Sequence, residues 1–241
     1  MTARVLRVLA AFSADRPELA LTELSRRAEL PLTTTHRLVR ELAQWGALER
    51  AEDGRYRIGL RLWEVGALAP RGLGLRESAM PFLEDLYEVT KQNVQLAVLD
   101  GAEVVYLERL SGRGAVNVIS RVGGRLPLHA TGVGLVLLAH ADAELQEQVL
   151  AAPLKRFTAK TMCGPDELRR ALAEVRRTGV AISDGQIELI ALSVAAPVRG
   201  RRGEVVAALS VVVPAETSDA RAYVPVVQAA ARGISRALGG P

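Results

Sequence analysis

The 241 residues are 49% hydrophobic and 24% charged with a net charge of +4, a balance that supports a globular core and excludes a disordered or fibrous chain. A single cysteine, Cys163, excludes an intrachain disulfide framework and points to a reducing cytoplasm; the start Met1-Thr2-Ala3-Arg4-Val5-Leu6-Arg7 lacks the apolar stretch of a signal peptide, and no charge-free run of about 18 apolar residues offers a membrane span. Residues 1–63 hold 11 Arg against 8 Asp plus Glu, whereas the rest holds 20 Lys plus Arg against 19 acids, so the cationic excess sits in the first quarter, where a small nucleic-acid module would need it.

Nearly all of that cation is arginine, with lysine only at positions 91, 155 and 160. The planar guanidinium suits phosphate and guanine, although a GC-rich genome favours arginine as well. In chain order, Val5, Leu6, Val8, Leu9 and Phe12 recur at helical spacing and predict a first amphipathic helix, broken at Asp15-Arg16-Pro17. A second short helix is expected from Thr22, read as its N-cap, through Arg26 to Ala28. Pro31 closes the turn Glu29-Leu30-Pro31-Leu32. A third helix should run from Thr33 to Trp45, bury Leu38, Val39, Leu42 and Trp45, and stop at Gly46. Two short helices joined by a tight turn are the helix-turn-helix pattern.

Asp53-Gly54 lies between the extended runs Leu48–Glu52 and Arg55–Ile58 and predicts a type I′ hairpin, the wing of a winged helix. Arg50, Arg55 and Arg57 would stand there to meet phosphate or a minor groove. The third helix opens Thr33-Thr34-Thr35-His36-Arg37, with Arg40 one turn on. Recognition helices present their first turns to base edges, so these residues, with Thr22, Arg26, Arg55 and Arg57, are the candidate DNA contacts. Taken alone, the threonines could equally be a cap and the arginines a solvated face; the turn, wing and charge together favour DNA.

The ordered set Leu21-Thr22-Glu23-Leu24-Ser25, Leu30-Pro31, Thr34-Thr35-His36-Arg37-Leu38, Leu42, Trp45-Gly46 and Gly54-Arg55-Tyr56-Arg57-Ile58-Gly59 resembles the DNA-binding domain of the IclR (isocitrate lyase regulator) family. Beyond it, Leu60 to Ala69 reads as a short helix, Pro70-Arg71-Gly72-Leu73-Gly74 as a break, and Leu75 to Thr90 as a longer helix striped by Leu75, Ala79, Phe82, Leu83, Leu86 and Tyr87. The resemblance implies that this connector (residues 64–90) joins a winged helix-turn-helix (1–63) to an effector domain (91–241). It also implies dimer contacts from the first helix and the connector. Two-fold DNA geometry independently asks for dimerisation on a (pseudo)palindromic operator and leaves homodimer or tetramer open.

From Val94 the texture turns to strands: Val94–Leu99 and Glu103–Leu110 about Asp100-Gly101, Ala115–Ser120, Val180–Ser183, Leu192–Arg199 and Glu204–Val213 about Gly200–Gly203. Helices are expected at Thr131–His140, Leu145–Ala151, Pro165–Thr178 and Asp219–Leu238. The fold class is therefore α+β, with an antiparallel sheet in the second part. Gln95–Gly101, Arg125–Gly134, Ala195–Val198 and Ala208–Val211 are similar to the IclR-family sensor domain, which implies a GAF-like fold that binds a small organic acid or aromatic compound.

A helix N-terminus is a ready anion site, and His129-Ala130-Thr131-Gly132-Val133 enters one. A carboxylate could sit on the Gly132 and Val133 amides beside Thr131. Ser193 and Ser210 either face the ligand or bond local backbone; Asp184 either accepts an effector hydroxyl or makes a turn; His129 either lines the pocket or is structural. Leu135, Val180, Gln186, Ala191 and Ser193 depart from the family's usual residues, so they leave the effector's identity open and the architecture intact.

Enzymatic readings find little support. Cys163 would need His36, His129 or His140 as partner, and the sequence contains no nucleophile elbow, Walker loop or zinc-type cluster. No catalytic residue, metal or cofactor is expected. A DNA-binding protein without a ligand is the other alternative, disfavoured by the serine and glycine placements.

Overall fold

The computed structural model describes residues 1–13, 15–69 and 73–241, and these divide into two compact units, Met1–Leu73 and Gly74–Pro241. In the first, the early apolar period gives α1 (Thr2–Ala10), followed by a short strand β1 (Glu18–Leu19), α2 (Leu21–Arg27) and α3 (Leu32–Trp45). β2 (Leu48–Arg50) and β3 (Tyr56–Ile58) form the hairpin, β3 pairs with β1 on its other side, and α4 (Leu60–Ala67) follows. Val8, Leu19, Leu24, Leu38, Val39 and Leu48 close a common core between the helices and this three-stranded sheet. The α2–α3 turn is fastened at both ends: the Ser25 hydroxyl donates to the Leu30 carbonyl at 2.7 Å, and Arg27 Nε donates to the Ala11 carbonyl at 2.7 Å.

Three local expectations change. The N-cap of α2 is Ala20, not Thr22, because the Glu23 carboxylate turns back to accept the Ala20 N–H at 3.0 Å and does the capping from inside the helix. The hairpin loop holds three residues rather than two. Gly54 alone takes a positive φ, +85°, and its N–H donates to the Ala51 carbonyl, so the loop is a tight turn closed by a left-handed residue instead of type I′. Trp45 is 49% exposed, with the Arg61 guanidinium 5.4 Å above its ring, because the turns of α3 that carry Leu38 and Val39 already fill the core.

The second unit opens with α5 (Leu73–Thr90), which already includes Leu73 and Gly74; the rest of the expected break, Pro70-Arg71-Gly72, lies outside the described residues. Its sheet is antiparallel and six-stranded. In sequence the strands are β4 (Asn93–Asp100), β5 (Glu103–Leu110), β6 (Arg125–Pro127), β7 (Ala181–Asp184), β8 (Ala191–Arg199) and β9 (Val205–Pro214), and in space they run β6-β5-β4-β9-β8-β7. Strand alternation sorts the residues: Val94, Leu96, Val194, Ala196, Leu209 and Val211 meet α5 and the last helix α9 (Ala220–Ala237) on one face. Ala97, Tyr106, Ala195 and Ala208 meet α6 (Gly132–Ala139) and α8 (Pro165–Thr178) on the other. Between these two helices runs α7 (Ala143–Ala151). All eight residues of α6 are buried, as a helix without a polar face must be.

The strand expected at Ala115–Ser120 does not form. That stretch is irregular, and side chains satisfy its carbonyls instead: Asn93 Nδ2 donates to Val116 O at 2.7 Å and Arg109 Nη1 to Ser120 O at 2.8 Å. The free side of β5 is taken by β6, which pairs Glu103 with Pro127 and Val105 with Arg125. The chain therefore has the expected α+β class, a helix-turn-helix with its wing and a sheet domain with helices on both faces. Among the described residues no helix is long and apolar enough to cross a membrane, and no cluster of His, Cys, Asp and Glu could hold a metal.

Candidate functional site

Each unit presents one candidate site. In the first, α3 enters through Pro31 and exposes Thr33, His36, Arg37 and Arg40, with Thr34 half-buried. Thr22 and Arg26 on α2 are exposed as well. Arg37 Nη1 pairs with Glu41 Oε1 at 2.9 Å one turn on, a solvent-exposed bridge weak enough to be exchanged for a stronger anion. Thr35 departs from expectation: it is fully buried, and its hydroxyl donates to the Pro31 carbonyl at 3.1 Å. It braces the entry of the helix and offers nothing to a groove.

On the wing, Arg55 projects beside the turn with Asp53 at 3.5 Å. Arg57 lies on the sheet between Glu49 at 3.0 Å and Glu18 at 3.9 Å, so its charge is partly neutralised within the protein. Glu49 also accepts the Leu60 N–H at 3.1 Å; that bond, then Arg57, holds its carboxyl below the usual range. The exposed cations of α2, α3 and the wing make a surface suited to a polyanion.

The second unit forms a partly open cavity between the α6 side of the sheet and the loops at residues 118–120 and 186–188. Thr131 is the N-cap of α6, its Oγ1 accepting the Gly134 N–H at 3.1 Å, and Gly132 and Val133 stand at the open end of the helix as part of the cavity wall. A side chain on Gly132 would come within 2.6 Å of Ser193 Oγ, so only glycine lets this helix start lie against β8.

Of the residues singled out in the sequence, Thr131, Gly132, Val133 and Ser193 line this cavity. Ser210 sits beneath it, fully buried, its hydroxyl 3.5 Å from Oε1 of the lining Gln95. His129 and Asp184 are not brought to it. The His129 ring bonds the Lys155 carbonyl at 3.0 Å and stands 6.3 Å from the Phe157 ring, while Asp184 is exposed and pairs with Lys160 at 2.8 Å.

Of the other lining residues, Gln186 was already marked in the sequence by its departure from the family's usual residue, while Gln95, Tyr106 and Glu188 were not singled out. Gln95 donates to Ser120 Oγ at 2.7 Å; Glu188 accepts the Ile119 N–H at 2.9 Å and so ties two loops together at the cavity; Gln186 Oε1 accepts the Met162 N–H at 3.2 Å. Tyr106 lines the cavity from β5, and burial pushes its phenol well above its ordinary pKa. Gln95 and Ser210 had left a signal in the sequence, since both are polar positions in otherwise apolar strands and face each other in register. Tyr106 had left none, because an aromatic residue in a strand is ordinary core.

Residues 2–52 match the IclR helix-turn-helix domain, and residues 69–236 match the C-terminal domain of the bacterial transcriptional regulator IclR. The HTH-type transcriptional regulator XynR of Escherichia coli is 35% identical over 99% of this chain and 96% of its own length. KdgR of Dickeya chrysanthemi is 32% identical over 98% of this chain and 79% of its own. Among solved structures, an IclR homolog from Microbacterium hydrocarbonoxydans complexed with 4-hydroxybenzoate is 43% identical, with a TM-score of 0.94 and 98% of each chain covered. The IclR of Thermotoga maritima is 26% identical, with a TM-score of 0.80, 98% of this chain and 97% of that one being covered.

Proposed function

The chain belongs to the IclR family of bacterial transcriptional regulators, and from that premise we propose that it is a cytoplasmic repressor whose operator binding is switched by a small aromatic acid. In this reading residues 1–63 are the DNA-binding domain, 64–90 the connector and 91–241 the effector domain. Thr33, Thr34, His36, Arg37 and Arg40 enter the major groove, with Thr22, Arg26 and Arg55 contacting the flanking backbone. The effector carboxylate rests on the Gly132 and Val133 amides, where the start of α6 supplies unpaired donors and a positive dipole end. No cofactor takes part.

The observation that carries this reading is the cavity itself, which combines an open helix N-terminus with apolar walls such as Val118, Leu126 and Val212. The 4-hydroxybenzoate bound by the Microbacterium relative is an acid of the corresponding chemistry. Self-association is supported by α4, which buries none of its residues and exposes Leu60, Trp63 and Val65. A symmetric assembly through this helix would place two readers on a palindromic site.

The test is a mobility-shift titration on the intergenic DNA beside the gene, with and without 4-hydroxybenzoate, paired with a thermal-shift assay. At about 100 times its dissociation constant an effector adds roughly 2.7 kcal/mol of stability, and a coupling of about 1–3 kcal/mol changes operator affinity about 5- to 150-fold. A ligand that raises the melting temperature and leaves DNA binding and transcription unchanged defeats the switch.

A further inference from the structure

Most polar side chains on the cavity wall are engaged by other protein groups: Thr131 caps α6, Gln95 holds Ser120, and Glu188 holds the backbone of Ile119. Tyr106 differs. It is 3% exposed and lines the cavity, and among the described residues no protein group hydrogen-bonds its hydroxyl. A ligand that supplies the missing partner gains a hydrogen bond that a ligand without one forgoes.

Its place in the sheet says which part of a ligand it meets. Gly132, at the anion-binding end of α6, lies against Ser193 on β8, whereas Tyr106 is rooted on β5. β4 and β9 stand between those strands, so the two polar ends are three strand spacings, about 14 Å, apart at the sheet. The wall between them includes the apolar Val212. One carboxylate cannot serve both ends. A rigid ring carrying its polar groups at opposite positions can.

We propose that Tyr106 is the specificity-determining residue of the cavity, hydrogen-bonding a hydroxyl placed para to the effector's carboxylate and so selecting para-hydroxylated aromatic acids over unsubstituted and ortho-hydroxylated ones. The proposal rests on the effector-binding reading given above and adds the orientation of the ligand and the residue that reads its far end. Burial keeps the phenol protonated at neutral pH, so it can donate as well as accept. The selectivity is of the strong kind, since a ligand without the hydroxyl leaves Tyr106 unpaired.

Calorimetric titration of the full chain with benzoate, 2-hydroxybenzoate and 4-hydroxybenzoate tests it, in the native protein and in Tyr106→Phe. The native protein should favour 4-hydroxybenzoate over each of the others by about tenfold or more. Tyr106→Phe should bring the three acids to within about threefold of one another, chiefly by weakening 4-hydroxybenzoate. Phenylalanine conserves the ring and removes no hydrogen bond within the protein, so the ligand-free melting temperature should be kept or raised, which separates lost recognition from lost folding. If the native preference persists in Tyr106→Phe, or if all three acids weaken together, the assignment of Tyr106 to the hydroxyl is overturned. If none of the three acids binds the native protein, the effector reading itself fails and the proposal falls with it.

Discussion

At the scale of single residues, neighbours in the threonine run at the start of α3 have opposite fates. Thr35 is buried and bonds Pro31, while Arg37, two positions on and therefore on another face, is exposed beside Glu41. Arg37 is thus free to leave a weak surface bridge for a base edge. Arg37→Ala should weaken operator binding by about 1–3 kcal/mol and relax the sequence preference at one base pair of each half-site. Competition binding against operator variants measures this; an equal loss on all DNA would make Arg37 a phosphate contact instead.

At the scale of elements, Glu49 joins two of them. It sits on β2, accepts the first N–H of α4 through Leu60, and pairs with Arg57 of β3. Because its folded pKa lies below the ordinary value of about 4.3, the stabilisation is fully present above that value and is lost as pH falls through the lowered one. Melting curves from pH 7 down to about pH 3 should therefore fall more steeply for the native protein than for Glu49→Gln. Parallel curves would show that the contact adds nothing to the wing.

The second unit shows the same dependence of function on how elements meet. α6 has no polar face, so burial commits it to the interior, and the Thr131 cap then holds its open end at the cavity. The alternation of β4, β8 and β9 was legible as strand periodicity, and it turns Gln95, Ser193 and Ser210 toward the face that α6 covers. The irregular chain from residue 111 to 120 was not legible. Its β-branched residues suggested a strand, yet Asn93 and Arg109, distant in sequence, take its carbonyls first.

At the scale of the whole molecule, α4 leaves apolar side chains exposed that a second copy of the chain would cover. Leu60 is 62% exposed and Trp63 63% exposed, more than a short helix on a monomer commonly leaves open. With a second copy in that place, Trp63→Glu should shift sedimentation velocity at micromolar concentration toward a smaller species and weaken binding to a two-half-site operator more than to a single half-site. An unchanged sedimentation coefficient would move the interface elsewhere.

Local chemistry was enough to place the helix-turn-helix, the wing and most strands. A cap, a proline, a glycine stop or a period of two acts within a few residues, and such interactions are the same wherever the segment ends up. Resemblance spread over nearly the whole chain supplied the regulatory class. Only the tertiary structure decided which polar groups share the cavity. It brought Tyr106 of β5 and Gly132 of α6 to one space, and it diverted His129 to Lys155 and Asp184 to Lys160. The reason is that strand order and cross-sheet burial, which no short window of sequence contains, determine which side chains meet and which are already taken.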